Sequence, residues 1–140
     1  MNEFESAAMW KLYTLAHESI CIQTTYEKLR LHMPTNVHIG TISYIDYNAD
    51  VVNEGNAFNF IMIKRRSFDH ERELRAVCMH AEDPIADGIW VESNLSLLLD
   101  NVYLSPTAPL WFLDSVDDLS RHYGLTVPVR QSMLGVSPIY

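Results

Sequence analysis

The sequence has few of the features that mark several common classes of protein. It contains no apolar run of the roughly 20 residues that a membrane-spanning helix needs. Its first five residues, MNEFE, are acidic and lack the positive charge that opens a signal peptide. These absences predict a soluble, cytoplasmic protein with no membrane partner.

Cysteine and glycine are also scarce. The two cysteines, Cys21 and Cys78, each lie in a short apolar segment, which predicts small buried side chains and no disulfide framework. The five glycines form no glycine-rich phosphate loop. The six histidines show neither His-Glu-x-x-His nor any pairing with a Cys-x-x-Cys motif, so no metal site is predicted.

The chain contains few positively charged residues. Ten Lys and Arg face 18 Asp and Glu, which leaves a net charge of −8. Such a surface repels a phosphate backbone, so nucleic acid is not an expected partner. The length of 140 residues and the apolar fraction of 48% predict a single globular domain over residues 1–140.

The apolar periodicity predicts helices and strands that do not alternate regularly. The expected helices cover residues 5–15, 25–31, 57–65 and 109–123, and the expected strands cover residues 19–24, 37–47, 71–80, 89–92, 101–104 and 127–133. In the last helix, the side chains expected to face the core are Leu110, Leu113, Val116, Leu119 and Tyr123. This mixture favours an α+β fold, with a mixed, mainly antiparallel sheet flanked by helices.

The most informative part of the chain is residues 64–75, KRRSFDHERELR, which carries five basic groups, three acidic groups and one histidine. In a strand, Glu71, Glu73 and Arg75 would share one face, with neighbouring side chains about 6–7 Å apart. Two such carboxylates can act as general acid and base if burial or repulsion raises one pKa. Alternatively, one could hold a ribose hydroxyl while the other stabilises a cationic transition state.

These residues form the first predicted site. Glu71 and Glu73 are its candidate catalytic residues, and Arg75, Lys64 and Arg65 are candidate contacts for a small anionic or nucleotide ligand. The competing interpretation is structural. The glutamates would then pair with neighbouring cations on a solvated strand end, where ion pairs contribute little stability.

A second cluster lies in the predicted N-terminal helix. Ser6 precedes Trp10 by one turn and Tyr13 follows, which is typical of an aromatic pocket wall with a polar contact. Ser6, Trp10 and Tyr13 are therefore candidate ligand-binding residues. The alternative is that both aromatic side chains are core packing and that Ser6 lies near a frayed helix start.

Several segments together resemble the bacterial domain-of-unknown-function family 2971, and the likeness covers nearly all of the chain. The most recognisable motif is a basic residue, an aromatic residue and then Glu-x-Glu-x-Arg, present here as Lys64-Arg65, Phe68 and residues 71–75. The other similar segments are ESAAMWKLY, ICIQTT, VHIG, YIDY, residues 102–106 with the following helix, and residues 129–134. Family members usually carry a further N-terminal portion, so the resemblance implies a minimal or truncated form, or a partner surface supplied by another chain.

The same motif is more loosely similar to that of ADP-ribosyltransferase-like folds, in which a glutamate on a strand stabilises the oxocarbenium ion formed as nicotinamide leaves. That similarity implies Glu73 as the stabilising carboxylate and Glu71 as its helper. It also implies Trp10 or Tyr13 as a stacking wall and NAD as the ligand. The expected function is an enzyme acting on a nucleotide or NAD, or a degenerate form of one.

The alternative function is a non-catalytic interaction module, such as a bacterial phage-defence protein that forms a homo-oligomer. A helix beginning near residue 5 has little of its own chain to bury it. The three tryptophans, Trp10, Trp90 and Trp111, add to the surface that a second subunit could cover.

Overall fold

The structure is a computed structural model and describes residues 4–79 and 90–136. The helices of this part of the chain are α1 (Ala7–Tyr13), α2 (Tyr26–His32), α3 (Ala57–Ile61), α4 (Leu95–Leu98) and α5 (Leu110–His122). The strands are β1 (Ile20–Gln23), β2 (Val37–Thr41), β3 (Ser43–Ile45), β4 (Ile63–Arg65), β5 (Leu74–Cys78), β6 (Asn101–Leu104) and β7 (Val129–Gln131). Two short 3₁₀ helices cover Arg66–Glu71 and Met133–Gly135. The predicted α+β class is confirmed.

The chain divides into two compact units. The first contains the described residues from Pro34 to Trp90, and the second combines Phe4–Met33 with the described residues from Val91 onward. The single domain expected from the sequence stays a prediction. No helix within the described ranges has the length and apolar character to cross a membrane.

The first unit contains two small sheets. Strand β2 pairs antiparallel with β5, from Val37 opposite Cys78 to Thr41 opposite Leu74. Strand β3 pairs parallel with β4. The predicted strand over residues 37–47 is therefore two strands, separated at the buried Ile42.

The second unit is built on a three-stranded mixed sheet in the order β1-β6-β7, in which β1 is antiparallel to β6 and β7 is parallel to it. Leu104 of β6 is fully buried. The core cluster consists of Leu98, Leu99, Val102 and Val127. Partly buried side chains from α2, α5 and β7 pack against this cluster, so helices cover the sheet as expected.

Helix α5 confirms the most detailed of the helix predictions, but its buried face differs from the expected one. Pro109 is the N-cap, and Gly124 follows the helix with φ 74°, the left-handed conformation that glycine adopts readily. Val116 packs against the core and Ser120, one turn later, is buried. The inward face of α5 is therefore narrower than predicted. Three of the residues predicted to face the core are exposed: Leu110, Leu119 and Tyr123.

Other sequence predictions are wrong in detail. The helix expected over residues 57–65 ends at Ile61, because the Met62 carbonyl accepts the Ser43 N–H at 2.9 Å and the chain then pairs as β4. Residues 90–92 are not a strand, and the apolar run after them forms α4. Cys21 is exposed, not buried as predicted. The loop expected at 81–88 and residue 89 lie outside the described residues.

Candidate functional site

The charged segment singled out in the sequence folds differently from the continuous strand predicted over residues 71–80. Glu71 is the last residue of the 3₁₀ helix Arg66–Glu71, and Glu73 precedes β5. Between them, Arg72 has φ 46° and ψ 48°, a left-handed conformation that is unfavourable for a side chain with a Cβ. The prediction that Glu71 and Glu73 share one face of a strand is therefore wrong. His80, at its predicted end, lies outside the described residues.

The two carboxylates converge nevertheless, because both contact the same ammonium group. Lys64 Nζ donates to Glu71 Oε2, and it lies 3.2 Å from Glu73 Oε2. The Arg75 guanidinium donates to both oxygens of the Glu73 carboxylate, with Nε 2.5 Å from Oε1 and Nη2 3.2 Å from Oε2. This two-pronged contact fixes the orientation of the Glu73 carboxylate. We call Lys64, Glu71, Glu73 and Arg75 the charge cluster.

The charge cluster is tied to the backbone of neighbouring elements. The Glu73 N–H donates to the Tyr44 hydroxyl at 2.8 Å, and its carbonyl accepts the Ile42 N–H at 3.1 Å. Arg75 Nη1 donates to the Ile61 carbonyl. The position of the Glu73 carboxylate is thus set by β3, by the end of α3 and by the start of β5.

Burial within the charge cluster is uneven. The Glu71 side chain is 6% exposed, whereas those of Lys64, Glu73 and Arg75 are 24%, 26% and 29% exposed. Lys64 Nζ also lies 5.0 Å from the centre of the Phe68 ring, a distance at which a cation is attracted to an aromatic face. One carboxylate is therefore buried, and three charged groups remain accessible from solvent.

The electrostatic effect of this arrangement is to keep Glu73 ionised. The Arg75 hydrogen bonds, and after them those of Lys64, lower the pKa of Glu73 despite its partial burial. Glu71 is the main cause of the raised pKa of Lys64, and Glu73 is the main cause of the raised pKa of Arg75. A general acid at neutral pH needs a raised carboxyl pKa, so the shift at Glu73 favours an electrostatic role instead.

Arg65 lies elsewhere. Its side chain is exposed, and its guanidinium carbon is 5.2 Å from the centre of the Tyr47 ring. Of the five first-site residues, the structure thus gathers four, and Arg65 forms a separate cation–π contact. The pairing of Glu73 with Lys64 and Arg75 also fits the structural interpretation of the segment.

The predicted site of Ser6, Trp10 and Tyr13 belongs to the second unit, and the three side chains have different environments. Ser6 is the N-cap of α1, where its hydroxyl accepts the Met9 N–H at 3.3 Å. Trp10 is buried, and its indole N–H donates to Glu5 Oε1 at 3.3 Å. Tyr13 is 61% exposed. Ser6 has a capping role, and Trp10 alone of the three lines the cavity described next.

Trp10 lines a cavity of about 400 Å³, which we call the Trp10 cavity. Its other lining residues are Ala7, Lys11, Thr14, Leu15, Ala16, His17, Ser105, Pro106, Thr107 and Leu134. Thr107 Oγ1 lies 2.7 Å from His17 Nδ1 and 3.2 Å from Ser105 Oγ, so three polar side chains form a continuous chain of contacts.

No sequence pattern indicates this polar group, because its members are far apart in the chain. His17 and Thr107 are separated by 90 positions. The segment SPTAP around Thr107 carries only a signal for a turn. Within residues 4–79 and 90–136, no group of three or more His, Cys, Asp or Glu side chains could hold a metal ion.

Comparison of the chain with protein-family models, with curated proteins and with solved structures finds no match. The likeness to the domain-of-unknown-function family 2971 therefore stays a prediction from the motifs.

Proposed function

We propose that the protein is an enzyme that acts on a nucleotide or on NAD, with the charge cluster as its catalytic site. The observation that supports this function is the convergence of Glu71 and Glu73 on the Lys64 ammonium, with the Glu73 carboxylate clamped by Arg75. The resemblance to family 2971, and the looser one to ADP-ribosyltransferase-like folds, supports the same choice.

The proposed chemical role of Glu73 is electrostatic. When the bond between the nicotinamide nitrogen and ribose C1 breaks, both electrons leave with nicotinamide and C1 becomes cationic. A carboxylate held ionised next to C1 stabilises that charge without accepting a proton. Water then adds to C1 and releases its proton to solvent, which completes hydrolysis.

The other members of the charge cluster have supporting roles in this proposal. Arg75 orients the Glu73 carboxylate through two hydrogen bonds, so little reorganisation is needed in the transition state. Glu71 is buried, and its contact with Lys64 keeps the ammonium beside Glu73. The strained backbone at Arg72 is also in keeping with a functional site, where such conformations concentrate.

The test is NAD consumption by the purified protein and by the Glu73→Gln variant. We expect turnover to fall about 100-fold in the variant, the loss typical of removing one electrostatic contact to a transition state. Glu54→Gln is the matched control, because Glu54 is an exposed glutamate of the same unit. Turnover at background level in both the unaltered protein and Glu73→Gln would contradict the proposal.

A second candidate function is a non-catalytic interaction module that forms homo-oligomers. The observation that favours it is the exposure of large apolar side chains at the start of α5, where Leu110 is 78% and Trp111 58% exposed. Contiguous exposed apolar groups mark interaction surfaces. Light scattering distinguishes this candidate, since a protein that is strictly monomeric at all concentrations would exclude it.

A further inference from the structure

The walls of the Trp10 cavity come from two distant parts of the second unit. One wall is formed by α1 and the residues that follow it, up to His17. The other is formed by the turn at 105–107, together with Leu134. All of the described lining residues belong to the second unit.

The charge of the cavity wall is opposite to that of the whole chain. Among the described residues, Lys11 and His17 line the cavity and no Asp or Glu does, although the chain has 18 acidic and 10 basic residues. Glu5, which accepts the Trp10 indole N–H, is not among the lining residues. In a protein of net charge −8, such a concave wall is a surface at which an anion meets little repulsion.

The Ser105 and Thr107 hydroxyls of the cavity are held in place before any ligand arrives. Ser105 is 4% exposed, and its hydroxyl contacts that of Thr107. The Gln131 side-chain amide donates to the carbonyls of Ser105 and Ala108, both at 3.0 Å, and so fixes the turn that carries Thr107. A preorganised hydroxyl beside an imidazole loses little entropy on binding a ligand.

These donors match the acceptors of a phosphate monoester. The Lys11 ammonium can donate a hydrogen bond to an anionic oxygen, and either the Thr107 hydroxyl or the His17 ring can donate a second, because the contact between these two uses one of their protons. The remaining wall is mainly apolar and includes Trp10, which suits a flat aromatic group. The volume of about 400 Å³ falls in the range of small-molecule sites.

We propose that the Trp10 cavity binds a small phosphate monoester carried on an aromatic or nucleoside group, such as a nucleoside monophosphate. The phosphate contacts Lys11, His17 and Thr107, and the ring system occupies the apolar wall beside Trp10. This binding site lies in the second unit and does not rest on the catalytic proposal for the charge cluster.

The test is calorimetric titration of the full chain with adenosine monophosphate, with adenosine and with inorganic phosphate. We expect adenosine monophosphate to bind at least about tenfold more tightly than either of the other two, because only it uses both parts of the site. Lys11→Gln should weaken its binding about tenfold through loss of a charge-assisted contact. Arg130→Gln removes an exposed cation of the same unit that does not line the cavity, and it should leave the affinity unchanged.

Two variants test the contact between the Thr107 hydroxyl and the phosphate. Thr107→Val keeps the shape of the side chain but removes its donor, and should weaken binding several-fold, whereas Thr107→Ser should bind like the unaltered protein. Thr107 is exposed, so both variants are expected to fold, which circular dichroism checks.

Three results would overturn the proposal. They are equal affinities for adenosine monophosphate and adenosine, equal losses in Lys11→Gln and Arg130→Gln, and no binding of adenosine monophosphate at millimolar concentration. Loss of NAD turnover in Glu73→Gln reports on the charge cluster, whereas loss of adenosine monophosphate binding in Lys11→Gln and Thr107→Val reports on the cavity. The outcomes for the cavity and for the charge cluster are therefore distinguishable.

Discussion

The two units of the chain differ in what is buried inside them. The second unit has an apolar cluster around Leu98 and Val102, together with the fully buried Leu104. In the described part of the first unit, the buried residues are Ile42 and Glu71, one apolar and one charged. Ion pairs therefore have a larger share in organising the first unit than the second.

This difference has thermodynamic consequences. Apolar burial contributes a stability proportional to the area removed from water, and it involves no group that titrates with pH. Ion pairs depend on the ionisation of both partners and are screened by salt when they are accessible. Three experiments test whether the second unit depends mainly on apolar burial and the first on ion pairs.

The largest effect is expected in the core of the second unit. Leu104→Ala removes a side chain that is 0% exposed and leaves a cavity, so the free energy of unfolding should fall by about 3 kcal/mol. Urea denaturation measures the change. Leu110→Ala, on the exposed surface of the same unit, is the control and should change stability by less than about 0.5 kcal/mol. Similar small losses in both variants would show that Leu104 is not part of a tightly packed core.

A smaller effect is expected at the charge cluster. Glu71→Gln weakens a buried, charge-assisted contact with Lys64 and should lower the free energy of unfolding by about 2 kcal/mol. Lys64→Met should also destabilise, because it removes the ammonium from a buried carboxylate. The double variant Lys64→Met/Glu71→Leu should recover part of the loss, since two apolar side chains replace both charges. Strict additivity of the losses in Lys64→Met and in the single variant Glu71→Leu would contradict the coupling of this pair.

The smallest effect is expected from acid. The pKa of Glu73 is lower in the folded protein than in the unfolded chain, so its contribution is complete above the ordinary carboxyl pKa. As the pH falls below about 4 and through the folded pKa, that contribution is lost. Because Glu73 is partly accessible, the loss should be under about 1 kcal/mol.

Unfolding measured between pH 7 and pH 3 checks this expectation. Glu73→Gln has no carboxyl group to titrate at this position, so its stability should depend less on pH over the acid range. Identical pH profiles for the variant and the unaltered protein would mean that the Arg75 and Lys64 contacts do not stabilise the folded state. The raised pKa of Lys64 acts in the opposite direction, since its contribution is present below the ordinary lysine pKa and is lost only as the pH rises through the folded value.

The parts of the fold that depend on local signals were predictable from the sequence. The helix expected over residues 25–31 begins at Thr25, whose hydroxyl accepts the Lys28 N–H at 3.2 Å at the start of α2. The helix expected over residues 109–123 is α5, with Pro109 at its start and Gly124 just past its end. In these cases one or two neighbouring residues determine the backbone conformation, so pattern alone is sufficient.

The assembly of the candidate sites was less predictable, because it depends on exceptions and on distant contacts. An arginine in a left-handed conformation is rare, and nothing in the segment 64–75 indicates that Arg72 adopts it. The sequence predicts that Glu71 and Glu73 lie together on one face of a strand, whereas in the structure both carboxylates instead contact the Lys64 ammonium. The contact between His17 and Thr107 has no local signal, since it depends on the tertiary fold of the second unit.

The sheet of the second unit also has a consequence for how the chain is made. Ile20 in β1 lies opposite Leu104 in β6, so the ribosome must add 84 residues after Ile20, the last of them Leu104, before the two partners both exist. At usual rates of synthesis, roughly 4 to 17 seconds pass between the synthesis of Ile20 in β1 and that of Leu104 in β6. Throughout that interval the nascent β1 strand, with Ile20 and Ile22, is available to chaperones or to a wrong strand. In the first unit, by contrast, residues 34–79 are all synthesised before β6.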